Sequence, residues 1–98
     1  MKKFTTSAQK TLTLSKDVIL NKLETEMSKD SELVFKETKS DNIREAKLNN
    51  GSTVIIASFD KVNGKTLAMI DHKDLPEDFE RKEIQTKLRE KLDEIFKN

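Results

Sequence analysis

The sequence predicts an α+β domain in which a curved antiparallel sheet of about five strands grips a long C-terminal helix, in the order β-α-β-β-β-β-α. Three observations carry this. In the last quarter of the chain Phe79, Ile84, Leu88, Leu92, Ile95 and Phe96 recur at helical spacing among charged residues, the pattern of a helix with one apolar stripe. Thr53 to Phe59 is the most apolar run in the chain and reads as a central strand. Two hairpin signals, Asn49-Asn50-Gly51 and Asn63-Gly64, bracket that run, and turns this short exclude parallel crossovers.

Taken in order, Phe4 to Leu14 alternates weakly, with Phe4, Thr6, Ala8, Lys10, Leu12 and Leu14 on one face. This is a strand, firmest from Lys10 to Leu14. Ser15 is placed to cap a helix over Lys16 to Met27, with Leu14 and Ile19 as a hydrophobic staple. That helix presents Ile19, Leu20, Leu23 and Met27 on one side, and the polar tract Ser28 to Ser31 ends it. Leu33-Val34-Phe35 opens a short strand, Lys39 to Asn42 turns, and Ile43 to Leu48 is a strand whose Arg44, Glu45 and Lys47 suggest one face in water. Thr53 to Phe59 and Thr66 to His72 follow as antiparallel partners. The long helix starts with Asp74 and Glu77 in capping-box spacing and Pro76 in the first turn. Along it, Glu77 with Arg81, Asp78 with Lys82, Glu83 with Lys87 and Asp93 with Lys97 are acid-before-base pairs, each contributing about 0.2 to 0.5 kcal/mol. Packing of the stripe, at roughly 1.5 to 3 kcal/mol per buried side chain, outweighs them.

Ninety-eight residues make a single domain spanning 1–98, and 38% charged against 34% apolar residues make its core thin. Nineteen bases and eighteen acids are mixed along most of the chain, which has five Phe and neither Trp nor Tyr. Neither a basic patch nor stacking platforms are on offer, so nucleic acid is excluded as a partner. Absence of Cys removes thiol chemistry and disulfides. No apolar run is long enough to insert in a membrane, and a soluble cytoplasmic protein is expected.

Chemistry-bearing motifs are sparse. His72 is the only histidine, and a catalytic base would need a cleft and an orienting carboxylate. The simpler expectation is a strand-end histidine hydrogen-bonded to backbone or a nearby acid. One His without Cys does not build a zinc site, so neither metal nor cofactor is expected. Acid pairs such as Glu24 with Glu26, Asp71 with Asp74 and Glu77 with Asp78 fall on polar faces or turns, and Gly51 and Gly64 are isolated turn glycines. Nothing forms a nucleophile elbow or a phosphate loop, so the chain reads as a non-enzyme.

Lys10-Thr11-Leu12-Thr13-Leu14, the Asn49 to Val54 hairpin, and above all Lys65 to Pro76 followed by a charged amphipathic helix resemble small bacterial members of the START-like (SRPBCC) superfamily. The nearest flavour is the AHSA-type group, homologues of the activator of Hsp-90 ATPase. The resemblance runs over almost the whole chain from Lys10 onward. It implies a helix-grip fold whose sheet-helix cleft binds a lipid or other hydrophobic small molecule, here lined by Ile55, Ala57, Phe59, Ala68, Ile70, His72, Leu88 and Leu92. The alternative it implies is a co-chaperone-like module, with a filled core and no ligand, that engages a protein partner through its exposed sheet or an edge strand. Either reading fits a monomer or weak homodimer.

Overall fold

The computed structural model describes residues 4–75 and 81–97. Within them the elements are β1 (Phe4–Leu12), α1 (Lys16–Met27), β2 (Lys36–Glu37), β3 (Ile43–Lys47), β4 (Thr53–Asp60), β5 (Thr66–Leu75) and α2 (Arg81–Ile95). All strand pairings are antiparallel, in the order β1-β5-β4-β3-β2, so β4 is central. The molecule is thus an α+β domain with an open five-stranded antiparallel sheet and two helices, the second C-terminal.

Several elements are where the residue pattern puts them, each with a visible cause. The Ser15 side chain accepts the Val18 N–H at 3.3 Å and caps α1, whose Ile19, Leu20, Leu23 and Met27 are all buried. Asn63 and Gly64 take positive φ in the short 3-10 turn joining β4 to β5, as the Asn-Gly pair allows cheaply. Gly51 does the same between β3 and β4.

Other expectations need correction. β1 stops at Leu12, which lies opposite the first residue of β5, Thr66. Beyond it the Leu14 carbonyl is taken by the Thr66 hydroxyl, and Leu14 remains 41% exposed while Ile19 is sealed in the core. The capping hydroxyl, more than a staple, therefore sets the entry to α1. The second strand does not open at Leu33 but is confined to Lys36–Glu37, just before the expected turn at Lys39. The Glu32 N–H bonds the Asp30 carboxylate and the Leu33 N–H bonds the Asp30 carbonyl, which keeps this stretch turned. Leu33 enters the core from a loop.

The largest correction concerns the end of β5. Asp74, expected to cap the long helix, lies inside the strand at φ 59°. The register passes from Thr6 opposite His72 to Phe4 opposite Leu75, leaving one extra residue on β5. This is a bulge with Asp in the left-handed region, which short polar side chains tolerate. It turns Leu75 back into the protein, where it is 3% exposed. Pro76, Glu77, Asp78 and Phe79, with the pairs expected at Glu77 and Asp78, lie outside the described residues. Glu83 and Lys87 do meet, at 3.4 Å. Asp93 reaches Lys10 on β1 at 3.0 Å instead of pairing with Lys97.

Both helices cover one face of the sheet. Ala8, Ala46, Val54, Ile56, Ala68 and Ile70 form a single core with the α1 stripe and with Leu88, Leu92, Ile95 and Phe96. α1 lies against β4 and β5, whereas α2 follows β1 and touches β5 less. The contacts along α2 track that edge strand from end to end. Arg81 lies over the Phe4 ring, Gln85 Nε2 donates to the Ser7 carbonyl at 3.2 Å, and Asp93 meets Lys10. A helix laid along an edge strand, with a side chain bonded to that strand's backbone, protects it from pairing with another chain.

Candidate functional site

Strand geometry decides which of the expected cleft residues meet. Successive side chains point to opposite faces, and residues opposite one another across a ladder share a face. Ile56 stands opposite Ile70 and Ser58 opposite Ala68, all on the helix-covered face; Ile70 and Ala68 in turn oppose Ala8 and Lys10. His72 shares that face, opposite Val54 and Thr6. Leu88 and Leu92 belong to the same core. Ile55, Ala57 and Phe59 occupy the alternate positions, opposite Asp71, Met69 and Leu67, on the face without helices. The expected lining therefore divides between two sides of the sheet. Ala68, Ile70, Leu88 and Leu92 are each 8% exposed or less and packed together.

His72 sits at the end of the covered face in a short polar chain. Ser52 is fully buried, and its Oγ lies 2.8 Å from His72 Nε2 and 2.5 Å from Asn50 Oδ1. The Ser52 backbone N–H also points at Asn50 Oδ1, at 2.9 Å. A backbone N–H can only donate, so the Asn50 atom is the amide oxygen and accepts. It must then accept the hydroxyl proton of Ser52 as well. With that single proton committed, the Ser52–His72 bond is donated by His72 Nε2. Burial lowers the His72 pKa, which favours the neutral ring, and the hydrogen bond to Ser52 places its one proton on Nε2. Proton flow through this chain runs from His to Ser to Asn, the reverse of what activates a serine nucleophile. Neither Asn50 nor Ser52 stood out in the sequence beyond a turn. The available signal was an Asn two residues before a Ser whose side chain shares its strand face with Val54.

The helix-free face carries the larger unassigned surface. Its middle is Ile55 and Phe59 on β4, on either side of the fully buried Ala57, flanked by Leu67 and Met69 on β5 and Ile43 on β3. At one end Lys61 Nζ reaches Thr11 Oγ1, beside Leu67, at 3.4 Å, and at the other the charges form two rows. Lys73, Thr53 and Lys47 form one row across β5, β4 and β3, and Asp71, Ile55 and Glu45 form the next. Burial raises the Asp71 pKa, while Ser7 beside it and Lys73 pull it down. At the β2 margin of this face a groove of about 430 Å³ is lined by Val34, Lys36, Glu45 and Lys47, and Val34 is 66% exposed. Sequence reasoning named Ile55, Ala57 and Phe59 but missed Ile43, Leu67 and Met69, because each looks like an ordinary strand position until the register is known.

Two smaller grooves open along the seam between the helices. One of about 280 Å³ is lined by Met27, Asp30, Leu33, Lys87, Leu88 and Lys91. The other, about 240 Å³, is lined by Leu12, Thr13, Leu14, Lys22, Phe96 and Lys97. Among the described residues no group of three or more histidines and acids is placed to hold a metal ion, and no helix is long and apolar enough to cross a membrane. Comparison with protein-family models, with curated proteins and with solved structures finds no match to this chain.

Proposed function

We propose that the chain is a small, non-catalytic helix-grip domain of START-like type that binds a protein partner on the helix-free face of its sheet. The observation that carries this reading is the cross-strand register, which gathers the partly exposed Ile43, Ile55, Phe59, Leu67 and Met69 on the side the helices leave open. The partner is an amphipathic helix. Three neighbouring strands span roughly 10 Å, and the uncharged rows of Met69 with Ile43 and of Leu67 with Phe59 lie one two-residue step, roughly 7 Å, apart, an area that fits the apolar stripe of a single helix. A second copy fits poorly. A twofold axis along β4 would lay Lys73 over Lys47 and Asp71 over Glu45, like charge on like charge. A twofold axis across the strands would lay the charged rows on apolar ones.

Selection from a displayed library of amphipathic helices tests the reading. Binders should lose affinity on Met69→Glu or Ile43→Glu and keep it on Lys87→Glu at the α2 surface. Binders that respond only to Lys87→Glu, or no binders at all, would count against it.

A hydrophobic ligand in the sheet-helix cleft is the second reading, motivated by the apolar floor of Met27, Leu33 and Leu88 in the groove at the helix seam. Native mass spectrometry of freshly purified protein separates the two. A retained small apolar molecule would favour the cleft, and bare protein would favour the face.

A further inference from the structure

The groove at the C-terminal end of α2 differs from its neighbour along the seam in one respect, the whereabouts of its acids. Leu12, Leu14 and Phe96 make an apolar floor, and Lys22 Nζ stands 5.7 Å from the Phe96 ring centroid, with Lys97 at the margin. Among the described residues no carboxylate lines this groove. The nearby acids are engaged elsewhere. Glu26, whose carboxylate senses Lys22, is held by Lys29 at 2.8 Å, and Asp93 is held by Lys10 at 3.0 Å. The neighbouring groove has Asp30 in its wall, and its Lys87 already meets Glu83 at 3.4 Å. Leu14 and Val18, two of the large apolar side chains exposed on the surface, adjoin the first groove in sequence. Val18 stands one helical turn before Lys22, on the same side of α1.

We propose that this groove binds a free medium-chain carboxylate, its hydrocarbon chain on Leu12, Leu14 and Phe96 and its head group between Lys22 and Lys97. The chemistry follows from the lining. An apolar floor attracts a hydrocarbon chain, and two ammonium groups with no acid among the described lining residues attract a single anion at its end. This site is separate from the helix-free sheet face and does not depend on the reading given above.

The test is a backbone-amide NMR titration of the whole chain with sodium decanoate below its micelle concentration, with decanol as the neutral control. Saturable shifts should centre on Leu12 to Leu14, Lys22, Phe96 and Lys97. Decanol should bind about tenfold more weakly, the worth of about one charge-assisted contact. Lys22→Met, which keeps the apolar stem, should weaken decanoate by a similar factor while leaving decanol unchanged. Leu14→Ser, at an exposed position, should weaken both. Equal affinity for decanol, shifts centred on Met27, Leu33 and Leu88, or binding to anionic phosphatidylglycerol vesicles without binding to decanoate would each overturn the proposal.

Discussion

Ile55 and Ile56 are neighbours on the same central strand, yet they belong to different environments. Ile56 is completely buried beneath the helices, opposite Ile70 and Arg44. Ile55 is partly exposed on the open side, opposite Asp71 and Glu45. The same side chain on the same strand thus serves as core on one face and as surface on the other. An antiparallel sheet commonly has one solvated face, but that face usually alternates to polar residues. Here the charged rows lie toward one end, and the middle of β4 and β5 stays apolar, which is the asymmetry that motivates the proposed partner surface.

The sharpest way to break the comparison is to truncate both isoleucines. Ile56→Ala should cost about 2 to 5 kcal/mol in urea denaturation, because a fully packed site loses contacts and keeps a cavity. Ile55→Ala should cost about 1 to 1.5 kcal/mol. Equal losses would mean that the open face is covered within the isolated protein.

Ser52→Ala comes next, at about 1 to 3 kcal/mol, since it removes the acceptor of His72 Nε2–H at the end of the core, while the exposed Asn50 oxygen keeps the backbone N–H of residue 52. A loss well below that range in the same denaturation assay would mean that water replaces the hydroxyl.

The two faces also carry titrations of opposite sign. His72, on the covered side, has a native pKa lowered by burial, so the unfolded chain binds its proton first. Stability should be full above about pH 6.5 and fall as pH drops from there through the lowered native value. Asp71, on the open side, has a native pKa raised by burial. Its contribution is present below about pH 3.8 and is lost as pH rises through the raised value. Denaturation midpoints across pH should show His72→Gln flattening the first slope and Asp71→Asn the second. A wild-type slope retained in either variant would remove that residue as its source.

The smallest effect compares two ion pairs. Arg44, on the covered face, bonds Glu24 of α1 at 2.9 Å with both side chains largely shielded, whereas Glu83 and Lys87 are both 70% exposed. Double-mutant cycles should give about 1 kcal/mol for the first and about 0.3 to 0.5 kcal/mol for the second. The reverse order would deny any role of the sheet-helix junction in strengthening the pair.

Much of the fold was legible because local pattern and tertiary demand agreed. Ser15 capping, the stripe of α1, the Asn-Gly turn at Asn63 and the central run from Thr53 are each set by neighbours in sequence. Where the chain was misread, a long-range partner decided. Thr66 takes the Leu14 carbonyl and ends β1 early, and the bulge at Asp74 answers the need to aim Leu75 inward opposite Phe4. The cleft was misassembled for the same reason. Along β4 almost every residue is apolar, so alternation gives no clue to which half faces the helices.

By itself, the order of residues determined that hairpin strands and two amphipathic helices would form, and which helix faces would be buried. Those properties follow from φ/ψ preference and from periodicities of 2 and 3.6, which act within a few positions of one another. Only the tertiary structure decided that α2 lies along the edge strand β1, that Asn50 and Ser52 hold His72, and that Phe59, Leu67, Met69 and Ile43 share an open surface. Each of these depends on cross-strand register, where a slip of one residue sends every side chain to the other face.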